Sequence, residues 1–268
     1  LQAGVALALC LGSGFRMHTL GSLFGFGEVL LPAWLALALP VFCIMVAINA
    51  INMIDGVDGL AGGVLVVTLV GLASLVAVGG GDAMPALTIG AAIGGYLCFN
   101  MRGPFRARAA VFMGDAGSTV LALALVWQVL THSQPAAGQA APAFPPVLGL
   151  WLMAIPLLDT GSLILSRLMR GQHPFQAGRD HLHHLLLRAG FTDRQAAIVV
   201  IAASCLISGI GACLWWLGAP EVLLLGLFLV GFFAYFYAIH HKQQVLRWCR
   251  RVLVWLRARR MLRGAATH

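Results

Sequence analysis

The stretch Asn49-Ala-Ile-Asn52-Met-Ile-Asp55-Gly56-Val-Asp58-Gly59-Leu-Ala-Gly62-Gly63 sets two amides and two carboxylates between two long apolar runs. A charged side chain at the centre of a bilayer costs about 2.5–3.5 kcal/mol even on insertion scales, so carboxylates at such a seam need water, a metal ion or a basic partner. The glycines allow a tight turn and close approach of a ligand to the backbone. A polar turn between two helices is the plain alternative. A third carboxylate stands in Phe112-Met-Gly-Asp115-Ala-Gly-Ser118-Thr119, at the entry to another apolar run. There it suits a metal ligand or a helix N-cap, and the two hydroxyls suit a cap or a phosphate contact. If the three aspartates share one face, they could surround a hard divalent ion such as Mg2+ that also holds substrate phosphates.

The other polar constellation is His173-Pro-Phe-Gln-Ala-Gly-Arg179-Asp180-His181-Leu-His183-His184-Leu-Leu-Leu-Arg188. Three histidines in four residues raise a zinc site. However, helical spacing puts His181 and His184 on one face with His183 pointing elsewhere, and no cysteine is near. Neutral histidines beside Arg179 and Arg188 suit diphosphate binding or proton transfer better. A solvated loop is the plain alternative. Arg167 and Arg170 could grip phosphate bidentately or simply anchor a helix end. Asp159 precedes Arg167 by eight residues, so it lies about 12 Å deeper along a helix. A structural bond to an amide or arginine in the bundle suits it as well as a catalytic role.

The elements that must position these residues are membrane helices. The chain has 268 residues, 60% hydrophobic and 10% charged, against roughly 25% charged in soluble domains. Mean hydropathy is +0.90. With about 20 apolar residues per span, the pattern predicts an all-α polytopic bundle of about eight spans. The first is a short run over 1–15. The others are Val29–Asn52 with kinks at Pro32 and Pro40, Leu60–Val78, Met84–Met101, a fifth to about Thr131, Val147–Leu168, Gln195–Leu217 and Val222–Ile239. Residues 1–241 form the membrane domain and 242–268 a basic tail, whose Trp248 and Trp255 among arginines suit an interfacial helix on anionic lipid. The six cysteines show no metal spacing and read as small core residues.

The net charge of +8 does not imply nucleic acid, because the basic residues flank apolar spans, where anionic lipid or a phosphorylated substrate fits better. Of the 17 Lys and Arg residues, all but Arg16 fall in connections on one side, which is therefore the cytoplasmic side. Asp55, Asp58, Asp115 and the histidine loop fall on that face, and Glu28, Asp82 and Glu221 on the other. A transporter with an acidic ion site is a weaker reading, since only Asp159 is deep and no acidic residue matches it across the bundle.

Taken together, NAINMIDGVDGLAGG, VFMGDAGST and HLHHLLLRAGF resemble the polyprenyl-phosphate N-acetylhexosamine-1-phosphate transferases, over almost the whole chain. The resemblance implies transfer of a sugar-1-phosphate from a UDP-N-acetylhexosamine to undecaprenyl phosphate, releasing UMP, with Mg2+ or Mn2+. It implies a multi-pass protein of the bacterial inner membrane, in lipopolysaccharide or other cell-envelope glycan synthesis, and allows a homodimer. Asp55, Asp58, Asp115 and His181 would be catalytic, with Asp115 and Asp58 holding the metal. Asn52, Gly56, Asn100 and Phe112 would line the nucleotide pocket. Arg167, Arg179, His183 and His184 would contact substrate. The histidine loop is more similar to the GlcNAc branch than to the phospho-MurNAc-pentapeptide translocases, the alternative within the family. The family's adjacent Asp-Asp pair is missing from these residues, and the chain opens inside an apolar run without methionine. It therefore reads as cut from something longer, and as catalytically incomplete alone.

Overall fold

The computed structural model describes residues 1–101, 109–135, 141–173 and 181–265, with side chains of the final helix described to Leu253. Among the described residues the chain forms eleven helices and no strand beyond a single bridge between Thr19 and Leu30. In order these are α1 (Gln2–Ser13), α2 (Ala33–Ile54), α3 (Leu60–Val78), α4 (Met84–Asn100), α5 (Gly114–His132), α6 (Val147–Leu152), α7 (Ala154–Met169), α8 (Leu182–Ala189), α9 (Asp193–Trp216), α10 (Glu221–His240) and α11 (Lys242–Ala265). Helices α2, α3, α5, α9 and α10 are long and apolar enough to cross a membrane, and α1 and α4 are shorter apolar helices. A rise of about 1.5 Å per residue makes the five roughly as long as a hydrocarbon core of about 30 Å.

Proline chemistry explains where the observed elements depart from the expected spans. Val147–Leu168 is not one helix but α6 and α7, broken at Met153. Pro156 is the cause: it has no N–H to give, and its ring clashes with the carbonyl four residues back, that of Leu152. The Leu152 carbonyl accepts instead from Thr68 Oγ1 and Ser208 Oγ, each at 3.2 Å. Pro40 does the same inside α2, where the released Ala36 carbonyl accepts from the Met17 N–H at 2.9 Å. Pro32 is not a kink; it is the N-cap of α2, preceded by an extended stretch whose Val29 and Leu30 pair with residues 19–21.

Helix α3 runs through the centre, with Leu60, Leu65, Leu69 and Leu72 fully buried. Small residues let its neighbours approach, as membrane packing requires. A Cβ at Gly62 would stand 2.8 Å from Leu97 of α4, and one at Gly63 would collide with Ile201 of α9. Helix α10 is the outer wall, exposing Val222, Leu223, Leu227, Leu229, Val230 and Phe233. In water such a surface would be costly; against lipid it is the expected face.

The bundle has two chemically different ends. At one, Gln134 Oε1 accepts from the backbone of His18 and Thr19, Ala143 packs on Gly79, and Glu221 abuts Gly21. At the other lie the α2–α3 turn, the start of α5, helix α8 and α11. There α11 packs on α8 through Leu253 against Gly190, and Arg250 Nη2 donates to the Arg188 carbonyl at 3.4 Å.

Candidate active site

The α2–α3 turn is built by glycine and an amide. Gly59 is the N-cap of α3 with φ 79°, a left-handed conformation that costs residues with a Cβ. Its N–H donates to Asn100 Oδ1 at 2.7 Å, and Asn100 Nδ2 donates to the Val111 carbonyl at 2.7 Å. Asn100, buried at the end of α4, thus ties the Asp58 turn to the segment that leads into Asp115. Expected in the nucleotide pocket, it does line the cavity, but its amide serves to hold two loops together. Asn52 does similar work one turn earlier, donating to Thr119 Oγ1 of α5 at 3.3 Å, while its Oδ1 is buried without a partner.

The result is a cavity of about 270 Å3 lined by Asp55, Gly56, Val57, Asp58, Asn100, Phe112, Met113, Gly114 and Asp115. All three expected carboxylates meet there. Asp115 is exposed, and Asp55 and Asp58 are half-buried. Asp115 is not a cap: the N-cap of α5 is Met113, with no side-chain capping bond. Nor does Ser118 cap, since its hydroxyl donates back to the Gly114 carbonyl at 3.0 Å. Burial pushes the Asp55 carboxyl above its ordinary range, and the charges of Asp115 and Asp58 push it further.

Carboxylates gathered at one cavity in this way could hold a divalent cation, whose charge would relieve that repulsion. Among the described residues, no three Asp, Glu, His or Cys side chains form a ready cage. Mg2+ does not require one, because it takes one or two carboxylates and completes its shell with water and substrate phosphates. Asp115 and Asp58 suit this role, with Asp55 beside them.

Of the histidine segment, His183 reaches the α2–α3 turn. His181 is the N-cap of α8, and its Nδ1 lies 2.8 Å from Asp159 Oδ2 of α7. Asp159 Oδ1 accepts from the Leu182 N–H at 3.0 Å and the Tyr235 hydroxyl at 2.7 Å. Among the described residues Asp159 therefore pairs with a histidine and a tyrosine rather than with an amide or arginine side chain. The helical-face argument also fails for the histidines, because His181 precedes the helix. The His181 and His183 rings stack at 5.9 Å, and His183 and His184 lie 4.1 Å apart. His183, expected to point elsewhere, is the ring that meets the aspartate turn: a Cβ on Gly56 would stand 2.7 Å from its Nε2. Arg167 is half-buried in the last turn of α7. Arg179 lies outside the described residues.

Burial, then the neighbouring His184 charge, drives the His183 imidazole down to about 4. In the unfolded chain it titrates near 6.5, so between these values the folded state holds fewer protons, and stability falls as pH falls through that window. We expect wild-type protein to lose up to about 3 kcal/mol from this group between pH 7 and 4. His183→Gln should lose less over the same range in thermal unfolding; an equal pH dependence in both would contradict the assignment.

The model of glycosyl transferase family 4 matches residues 1–133. Undecaprenyl-phosphate alpha-N-acetylglucosaminyl 1-phosphate transferase of Escherichia coli K12 is 36% identical over 263 residues, covering 97% of this chain and 70% of that protein. The chain belongs to glycosyl transferase family 4. The proteins of the same name from Salmonella typhi (36% identical, 100% of this chain, 72% of theirs) and Yersinia pestis (37%, 94% and 68%) are similar to the same extent. The family match takes in all three cavity aspartates, while the histidine loop lies in the remainder of the family 4 chain, which the longer alignments cover.

Tyr235 was not legible as a site residue, because it sits in a run of lipid-facing apolar residues. The available signal is weak: a tyrosine hydroxyl in such a run needs a buried acceptor, and Asp159 is the deep carboxylate.

Proposed function

We propose that the protein transfers GlcNAc-1-phosphate from UDP-GlcNAc to undecaprenyl phosphate, giving undecaprenyl-diphospho-GlcNAc and UMP, on the cytoplasmic face of a bacterial inner membrane. The observation that carries the reading is the convergence of Asp55, Asp58 and Asp115 on one cavity. The histidine loop packs against the same turn through His183 and Gly56. The names of the relatives support the acceptor and the sugar. The distribution of Lys and Arg supports the orientation.

Phosphoryl transfer of this kind needs positioning and charge neutralisation more than covalent help. An oxygen of the lipid phosphate attacks the β-phosphorus of UDP-GlcNAc, and the bond from that phosphorus to the bridging oxygen breaks, its electron pair leaving with UMP. Mg2+ held by Asp115 and Asp58 would neutralise the diphosphate charge. Asp55 and the backbone at Gly56 border the position of the nucleotide. The lipid phosphate needs no strong base, since a phosphate monoester has its second pKa near 6. The leaving UMP is the same kind of phosphate, so its departure calls for charge compensation more than for a strong acid. His181 is assigned to the departing oxygen, donating its Nε2 proton as the charge develops.

A second cavity suits the prenyl chain. It holds about 350 Å3 between α2, α5 and α6–α7, and its wall is almost wholly apolar, including Leu39, Phe42, Ala47, Val126, Leu150 and Leu157. Val126 is eleven residues along α5 from Asp115, about 16 Å at 1.5 Å per residue. We expect Ala47→Trp, which fills this cavity, to raise KM about tenfold for undecaprenyl phosphate, the size expected from losing one or two buried methylenes. A short-chain prenyl phosphate should be unaffected. Equal effects on both acceptors would remove the cavity from the acceptor path.

The deciding assay is UMP release in vesicles by the protein expressed together with any coding sequence upstream of Leu1, given UDP-GlcNAc, undecaprenyl phosphate and Mg2+. Release that depends on both substrates supports the reading. Release only with UDP-MurNAc-pentapeptide would assign the chain to the translocase branch, and release with neither donor would overturn the transferase reading.

A further inference from the structure

We propose that Asp159, braced by Tyr235, is the positioning residue that fixes the proton of the His181 ring on Nδ1 and so commits Nε2 to proton exchange. The inference rests on the reading of His181 as the donor to the leaving nucleotide. Asp159 is 1% exposed, and each of its oxygens is engaged. An ionised carboxylate can only accept hydrogen bonds, so the His181 nitrogen 2.8 Å away must be the one that carries hydrogen. Nε2 is then the nitrogen that gains or loses the catalytic proton. When Nε2 is protonated, the carboxylate beside Nδ1 compensates the imidazolium charge in a buried place. When that proton passes to the oxygen leaving with UMP, the ring returns to neutrality with its remaining hydrogen still on Nδ1. Tyr235 comes from α10 and donates to Asp159 Oδ1 at 2.7 Å, which keeps the carboxylate from turning away from the ring.

A purely structural role must be separated from this one. Asp159 also accepts the Leu182 N–H at the start of α8, and a helix cap would explain that bond alone. Asn at this position distinguishes the two. Its Oδ1 can keep the bonds from Leu182 and Tyr235, so the cap survives. Its NH2 then faces His181 Nδ1, which must accept, and the charged ring loses its support. A cap would tolerate this change; a proton-positioning carboxylate would not.

The experiment measures kcat and KM in vesicles with UDP-GlcNAc, undecaprenyl phosphate and Mg2+ for His181→Ala, Asp159→Asn, the double variant, and Tyr235→Phe alone and combined with His181→Ala. His181→Ala tests the underlying reading by itself; wild-type kcat there would remove that reading, and the inference with it. Given a loss in His181→Ala, Asp159→Asn should lower kcat by about 10²–10⁴-fold with KM for UDP-GlcNAc little changed. The double variant should be no worse than His181→Ala, because residues that act as a unit are not additive. Near-normal kcat in Asp159→Asn, or additive losses in the double variant, would overturn the proposal while leaving His181 in place. Should Asp159→Asn not fold, Tyr235→Phe decides: a fall in kcat of roughly 3–10-fold, the value of one hydrogen bond, supports the proposal when it vanishes in the His181→Ala background. An unchanged kcat in Tyr235→Phe overturns it.

Discussion

Asp115→Asn is expected to lower turnover by more than about 10³-fold while leaving the protein folded. Removing one preorganised charge-stabilising group from a transferase site typically costs about 10²–10³ in rate. Here the same change also takes a charged ligand from the proposed metal position, so the loss should exceed that range. The fold should survive because Asp115 is exposed in the first turn of α5 and is not its cap. The aspartates are also coupled. The Asp115 charge helps raise the Asp55 carboxyl, so the amide should let Asp55 ionise at lower pH than in the wild type. Two measurements check this. Stabilisation by added Mg2+ in thermal unfolding should be large in wild type and small in Asp115→Asn. In the wild type that stabilisation should also fade as pH drops into the raised range of Asp55, since protonation removes a negative neighbour of the cation. Wild-type turnover by Asp115→Asn in the presence of chelator would sink the metal assignment.

How much of this was legible beforehand differs by the kind of physics involved. The long apolar runs have one meaning at the scale of a bilayer, so α2, α3, α5, α9 and α10 came out within a few residues of the expected spans. The grouping of Asp55, Asp58 and Asp115 was legible from topology alone, since an even number of crossings returns the chain to the same face. The break between α6 and α7 had its signal in Pro156, but the unbroken hydropathy of Val147–Leu168 outweighed it. Side-chain pairing was the least legible. Asp159 and His181 are 22 residues apart and Asp159 and Tyr235 are 76 apart, and no periodicity connects them. The helical rule misplaced His183 because it was applied through His181, a residue with extended backbone at ψ 153°.

His181→Ala should lower kcat by about 10²–10⁴-fold, the usual contribution of a positioned acid or base, and should do so more severely than changes at the two neighbouring histidines. The three rings are close enough to be confused in function, yet their surroundings differ. His181 is paired with a buried carboxylate and can carry a second proton with its charge compensated. His183 is driven to about 4 by burial and by His184, so near neutral pH it is uncharged and a poor proton donor. Its ring fills the space above Gly56, and His183→Ala should therefore act mainly on stability and on KM, by loosening the aspartate turn. The contrast gives the test its force. A kcat loss confined to His181→Ala, in protein still folded at the assay temperature, fits a single proton donor facing the diphosphate. Equal kcat losses at all three positions, accompanied by loss of zinc in elemental analysis, would instead make the cluster a metal site, and the proton would have to reach the leaving group by another route.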